Sequence, residues 1–174
     1  MRIIFVAIAS CILLYGCSLS PPCPKVIFDR AAFDSAKDAW DAEGITSYTF
    51  TVFEFHGSPI PSFRATVTEG ELSEMDLVAG TDFWSDEQLA DFLDDFRTRG
   101  TIPSVFDWIL SEYEEAIAKL GTMRRGLVLH IDVKYNAEYH FPEKVLFDVS
   151  STEHLLIGTG RSFEIKTFQP QPAP

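Results

Sequence analysis

Residues 127–135 constrain the fold more tightly than any other stretch of the chain. Leu127, Leu129, Ile131, Val133 and Tyr135 alternate with Val128, His130, Asp132 and Lys134. Successive side chains of a strand point to opposite faces, so this pattern specifies a strand with one dry and one wet face. A sheet built on such a strand needs cover on one side only, and the rest of the chain must supply that cover.

The remaining segments divide between strands and cover. Residues 47–55 are dense in aromatic and β-branched side chains, with Tyr48, Phe50 and Val52 on one side. Residues 63–68 and 72–78 flank Glu69-Gly70-Glu71, a tight-turn sequence. Val145, Phe147 and Val149 mark a fifth strand, and residues 163–168 a last one.

Three segments repeat apolar residues at helical spacing. In residues 29–43, Phe33, Ala36 and Trp40 share one stripe and Gly44 supplies a stop. Ser85 caps the second, with Gln88 completing a capping box ahead of Leu89, Phe92, Leu93 and Phe96. Gly100 ends it. The third begins near Pro103, which suits a first helical turn, and carries Phe106, Ile109, Leu110, Tyr113, Ile117 and Leu120 before Gly121. The order predicts an α+β domain over residues 28–168: an antiparallel sheet of about five to six strands with helices packed on one face. Residues 169–174, rich in proline, read as a disordered tail.

Ahead of the domain, Arg2 precedes thirteen uncharged, mostly apolar residues, 3–15. As a helix that run is about 20 Å long, short of the ~30 Å hydrocarbon core of a bilayer. It reads as the apolar part of a signal peptide. Leu14-Tyr15-Gly16-Cys17 follows and resembles the lipobox of bacterial lipoprotein precursors, with Tyr15 bulkier than that pattern prefers. The resemblance implies cleavage between Gly16 and Cys17 and lipid on Cys17, a covalent fatty-acyl group rather than a cofactor. Each buried CH₂ adds ~0.8 kcal/mol, so two or three acyl chains anchor firmly where one does not. Residues 17–27 are then the lipidated cysteine and a flexible tether. Ser18 after the cysteine resembles the sorting pattern for the outer membrane, which predicts an envelope location there.

Charge narrows the partners. The chain has 14 basic and 26 acidic residues, and loss of Arg2 with the leader shifts the formal charge from −12 to −13. Nucleic-acid binding needs a basic face that displaces counterions, so this balance argues against it. It also predicts that the domain stands off an anionic bilayer while its lipid enters it. Of the three cysteines, Cys11 leaves with the leader and Cys17 carries lipid. Cys23 remains, either a free thiol or an intermolecular link.

Three stretches carry a second resemblance. Trp40 with residues 44–50 (GITSYTF) runs a helix end into an aromatic strand, and residues 67–72 (VTEGEL) make a strand with a glycine turn. The third joins residues 101–109 (TIPSVFDWI), residues 131–136 (IDVKYN), Phe141-Pro142 and Phe147-Asp148. Together, over about residues 33–168, they resemble a family of bacterial lipoproteins with a single domain of unknown function. Many of its members carry a cysteine pair just after the first strand, where this chain reads Glu54-Phe55-His56-Gly57-Ser58-Pro59. The resemblance implies fold and location, and no disulfide or metal role transfers.

The search for chemistry yields few candidates. His130 shares the wet face of its strand with Asp132, and His140 lies ten residues on beside Glu138. These three make a conceivable acid–base or metal set if the next strand folds back, but hydrophilic residues on a solvated strand face need no such role, and that is the preferred reading. Asp132, Asn136 and Glu138 lack the order and glycine of a calcium loop. Gly158-Thr159-Gly160 is no phosphate cradle, and no serine sits in GxSxG. Asp94-Asp95 and Glu114-Glu115 are adjacent on helices and so point apart. No cofactor or metal is called for.

Three functions remain open from the residues. The first, and the leading one, is a non-enzymatic, membrane-anchored module that binds another protein or helps organise the envelope, with Phe53 and Phe55, opposite the Tyr48 stripe, as its surface. The second is a small-ligand carrier with an apolar cavity between sheet and helices. The third is a hydrolase or metal-dependent enzyme using His130 and Asp132. Oligomeric state is not encoded in any feature of the sequence.

Overall fold

A computed structural model describes residues 22–56, 61–79, 84–151 and 160–171. In chain order the elements are β1 (Lys25–Phe28), α1 (Arg30–Glu43), β2 (Tyr48–His56), β3 (Ser62–Thr68) and β4 (Glu71–Ala79). They continue with α2 (Asp86–Arg97), α3 (Ile102–Lys119), β5 (Leu127–Tyr135), β6 (Pro142–Ser151) and β7 (Arg161–Pro170). The fold class is α+β, as the alternation predicts. The strands form one sheet ordered β1-β5-β6-β7-β2-β3-β4.

The sheet departs from expectation in number and direction. It has seven strands, not five or six, and β1 runs parallel to β5 while the other neighbours are antiparallel. Four residues (KVIF) next to a proline-rich stretch are too short to show alternation, and a parallel partner requires a long crossover that no local signal reveals. This strand also shortens the tether expected over residues 17–27, because the domain begins by Lys25 rather than at residue 28. Pro22 is already tied to it: the Gly126 amide donates to the Pro22 carbonyl at 2.8 Å. At the other end Gln169 and Pro170 belong to β7, and the Gln171 amide donates to the Ser47 carbonyl at 2.8 Å. Proline as the last residue of a strand forfeits little of the ladder, so the expected tail is partly strand. Residues 172–174 lie outside the described residues.

All three helices cover the same face. The α1 stripe of Phe33, Ala36 and Trp40 is buried. Trp40 meets Tyr48 and Phe168 edge to face, and Phe33 meets Phe28 and Phe106. Phe96 of α2 lies over Phe63, and Trp108 of α3 contacts Phe147 and Phe163. Each such aromatic side chain, fully buried, contributes roughly 1.5–3 kcal/mol. Ile117, read as part of the α3 stripe, is instead exposed at 42%, beyond the reach of the sheet near the helix end.

The helix ends follow their signals. Asp29 caps α1 through Ala32, Gly44 closes it in the left-handed region at φ 65°, and both halves of the Ser85/Gln88 capping box form. The elbow between α2 and α3 passes close to β4 at Gly100, where a β-carbon would stand 2.5 Å from Leu72 Cδ2.

Candidate functional site

The face of β5 read as wet is solvated only in its second half, at Asp132 and Lys134, while Val128 on the same face is buried. Asp132 is exposed and His130 half-buried, with its Nε2 3.4 Å from Ser150 Oγ on β6. His140 is not brought to them. It sits in the turn between β5 and β6 with φ 63°, five strand residues beyond His130 or roughly 17 Å away along the sheet. The Asn136 side chain, offered as a calcium ligand, accepts from the amides of Glu138 and Tyr139 at 3.0 and 2.9 Å and so builds the turn. Among the described residues no group of three or more His, Cys, Asp or Glu is placed to hold a metal ion. Asp95 pairs with Arg99, just beyond the end of α2, and Glu115 with Lys119 one turn on in α3.

Phe53 and Phe55 do point away from the helices. Phe55 is 39% exposed, and Lys166 Nζ lies 5.8 Å from the centre of the Phe53 ring. Gly16 and Cys17, His154 and most of the Gly158-Thr159-Gly160 loop lie outside the described residues. Cys23 is exposed with a free thiol. No helix among the described residues is long and apolar enough to cross a membrane.

A buried polar assembly lies under the helices. Glu54 continues the inward stripe of Tyr48, Phe50 and Val52, and is 2% exposed. Arg99, 5% exposed, reaches it from the α2–α3 elbow at 3.2 Å and also pairs with Asp95. Its guanidinium lies between the rings of Phe96 and Trp108, 4.8 and 4.9 Å from their centres. Arg161 covers Trp108 at 5.3 Å and pairs with Glu112, which accepts from Trp108 Nε1 at 3.1 Å. Every charge here has a partner, so the assembly locks the elbow onto β2. The alternation of 48–55 carried the signal: a carboxylate on a dry stripe requires a buried cation.

An opening lies at the edge of the sheet. β1 stops at Phe28, opposite Ile131, because Asp29 turns the chain into α1 by accepting from the Ala32 amide at 2.9 Å. β5 runs four residues farther, so Asp132–Tyr135 has no strand on that side among the described residues. A cleft of about 440 Å³ fills the position a longer β1 would occupy. Phe28, Ala32, Val133 and Tyr135 line it from the helix side, while Ile27 and Leu146 line it from the open side. Asp132, Lys134 and Lys144 form its rim. Lys134 pairs with Glu143, which holds its ammonium above the usual lysine range.

Tyr135 contributes to the lining of this cleft with its hydroxyl sealed from solvent. Its hydroxyl is buried and has no hydrogen-bond partner within the described chain. Burial, reinforced by the carboxylates of Asp29 and Asp34, raises its pKa, so the group stays protonated and can donate or accept. The sequence marked Tyr135 only as the last dry residue of its strand. The arrangement offers apolar surface and free strand backbone, which are means of binding rather than of bond breaking. Comparison of the chain with protein-family models, curated proteins and solved structures returned no match.

Proposed function

We propose that the protein is a lipid-anchored module of the bacterial envelope that binds another protein by taking an extended segment of it as an added strand on β5. The observation that carries this reading is the unpaired edge of Asp132–Tyr135 beside an apolar cleft. Alternate residues of such an edge direct their N–H and C=O groups outward, and an extended peptide satisfies them while its side chains enter the adjoining pockets. The four free residues span about 13 Å, enough for a short strand in line with β1. The sequence-based resemblance to lipoproteins of unknown function belongs to the same proposal, as does placement in the outer membrane.

In-cell photo-crosslinking from Lys144, on the rim, tests the site. The expected result is one protein adduct, with cross-linked partner residues spaced by two as in a strand, lost when Ala32→Trp fills the cleft. Adducts from Lys166 that are lost in Phe53→Ser, Phe55→Ser and unaffected by Ala32→Trp would move the surface to the open face. A second reading, a small-ligand carrier, draws support from the cleft volume, which falls within the range of small-molecule sites. Native mass spectrometry showing a bound small molecule, displaced by Ala32→Trp, would favour it. Anchoring is tested apart from binding: the mature N-terminal peptide should carry acyl mass on Cys17, and Ser18→Asp should shift the protein toward the inner membrane.

A further inference from the structure

The open face of the sheet carries an ordered polar array well away from the β5 edge. Strand register places its side chains in two rows across β7, β2, β3 and β4. One row is Thr167, Thr51, Arg64 and Asp76, and the other is Gln169, Thr49, Thr66 and Glu74. Neighbouring strands lie ~4.8 Å apart, so each row is about 14 Å long, and the two rows are ~7 Å apart along the strands. A cleft of about 560 Å³ lies over them, lined by both rows.

The groups in this cleft are hydrogen-bonding groups with capacity to spare. Elsewhere on the surface cations sit against carboxylates, as Lys37 does with Asp41 and Lys134 with Glu143. Arg64 is exposed and makes no ion pair or hydrogen bond among the described residues, although Asp76 is its cross-strand neighbour. Thr167 donates to the Thr51 hydroxyl at 2.9 Å, which leaves the Thr51 proton to give. Gln169 offers both a donor and acceptors, and Glu74 and Asp76 offer acceptors. Along β2 the same face continues into Phe53 and the exposed Phe55.

The chemistry narrows what this surface takes. Two carboxylates against one guanidinium repel a polyanion. A protein partner needs an apolar or aromatic anchor at the centre of its footprint, and here threonines and charges hold the centre while the rings lie at the margin. A sugar chain suits both parts: its hydroxyls give and take hydrogen bonds at short intervals, and the C–H face of a pyranose ring buries itself on an aromatic ring. We infer that this cleft, extended by Phe53 and Phe55, binds a neutral oligosaccharide or polysaccharide chain laid along β2. From Thr49 to Phe55 the platform runs about 20 Å, longer than a single sugar ring. The site is separate from the β5 edge and does not depend on a strand being bound there.

Isothermal titration calorimetry tests it on the whole chain, purified without sugar-based detergents. The probes are chitohexaose and cellohexaose, neutral β-linked hexasaccharides with and without acetamido groups. At least one should bind. Arg64→Ala, and separately Thr51→Val with Thr66→Val, should each weaken binding at least about tenfold, as expected for loss of a charged hydrogen bond or of two neutral ones. Valine keeps the branched shape and strand preference of threonine, so the second variant loses hydroxyls and keeps the sheet. Phe55→Ser should also weaken binding, and Ala32→Trp, in the β5 cleft, should leave it unchanged. Co-sedimentation with amidase-stripped cell-wall glycan separates the sources: pelleting assigns the polymer, and hexasaccharide binding without pelleting assigns a free oligosaccharide. Absence of both, affinity that survives the Arg64 and threonine changes, or loss of binding in Ala32→Trp overturns the sugar site. A protein adduct cross-linked in cells from Thr66, with no sugar bound in the titrations, gives the face to a protein instead and overturns it too.

Discussion

Glu54 and Tyr48 occupy the same inward stripe of β2, and each makes its polar end tolerable in a different way. Glu54 is neutralised by Arg99 inside a cage of Phe96 and Trp108. Removing one partner of a buried pair strands the other charge, so Arg99→Ala should cost about 3–5 kcal/mol in urea unfolding. Replacing both, with Glu54→Leu and Arg99→Met, should restore most of that loss, because a packed apolar pair replaces the desolvated ions. Tyr48 instead donates nothing to solvent: its hydroxyl accepts from the Ile102 amide at 2.8 Å, and burial pushes its pKa up to about 12 from 10.0. Between these values the unfolded chain gives up a proton that the folded chain keeps. Stability is therefore whole below pH 10 and falls as the pH rises toward 12, by roughly 2–3 kcal/mol in total. In alkaline denaturation curves Tyr48→Phe should flatten that fall, at a cost near neutral pH of about 1 kcal/mol for the lost hydrogen bond. Burial of Tyr135 acts in the same direction.

The start of α3 shows how an element is held by both local and distant groups. The Ile102 amide goes to Tyr48, Pro103 has none to place, and the Ser104 amide goes to Thr101 Oγ1 at 3.2 Å. The Val105 amide then opens the helical ladder on the Thr101 carbonyl. Thr101→Ala should lower stability by about 1 kcal/mol and raise hydrogen exchange at Ser104 before the rest of α3. Helices of this kind were legible in the sequence because caps and stripes are local. The strand edges were less so. β4, the other outer strand, carries Glu71, Glu74 and Asp76, charges that discourage pairing with another chain. The β5 edge is shielded only as far as β1 reaches, and nothing near residues 132–135 in the sequence reports where a strand a hundred residues earlier will end.

At the scale of the molecule, a formal charge of −12 is spread over all three helices, each of which carries more carboxylates than basic residues, so self-repulsion acts across their exposed faces. Raising salt to ~1 M, where the Debye length is ~3 Å, should raise the thermal midpoint by a few degrees. Asp38→Asn with Glu43→Gln should shrink that gain, as followed by circular dichroism across a salt series. The sequence by itself determined the α+β class, the three helices with their caps, six of the seven strands and the dry faces of β2 and β5. Those features rest on spacing and on residues within a few positions of one another. It also placed Phe53 and Phe55 on the open side and His130 with Asp132 on one face of β5. Only the tertiary structure decided the parallel docking of β1, the pairing of Glu54 with Arg99, the distance of His140 from His130, and the cleft beside Tyr135. The first, second and last depend on segments far apart in the chain meeting at one place, the His140 distance on where the strand gives way to its turn, and strand order and register are settled by the packing of the whole sheet.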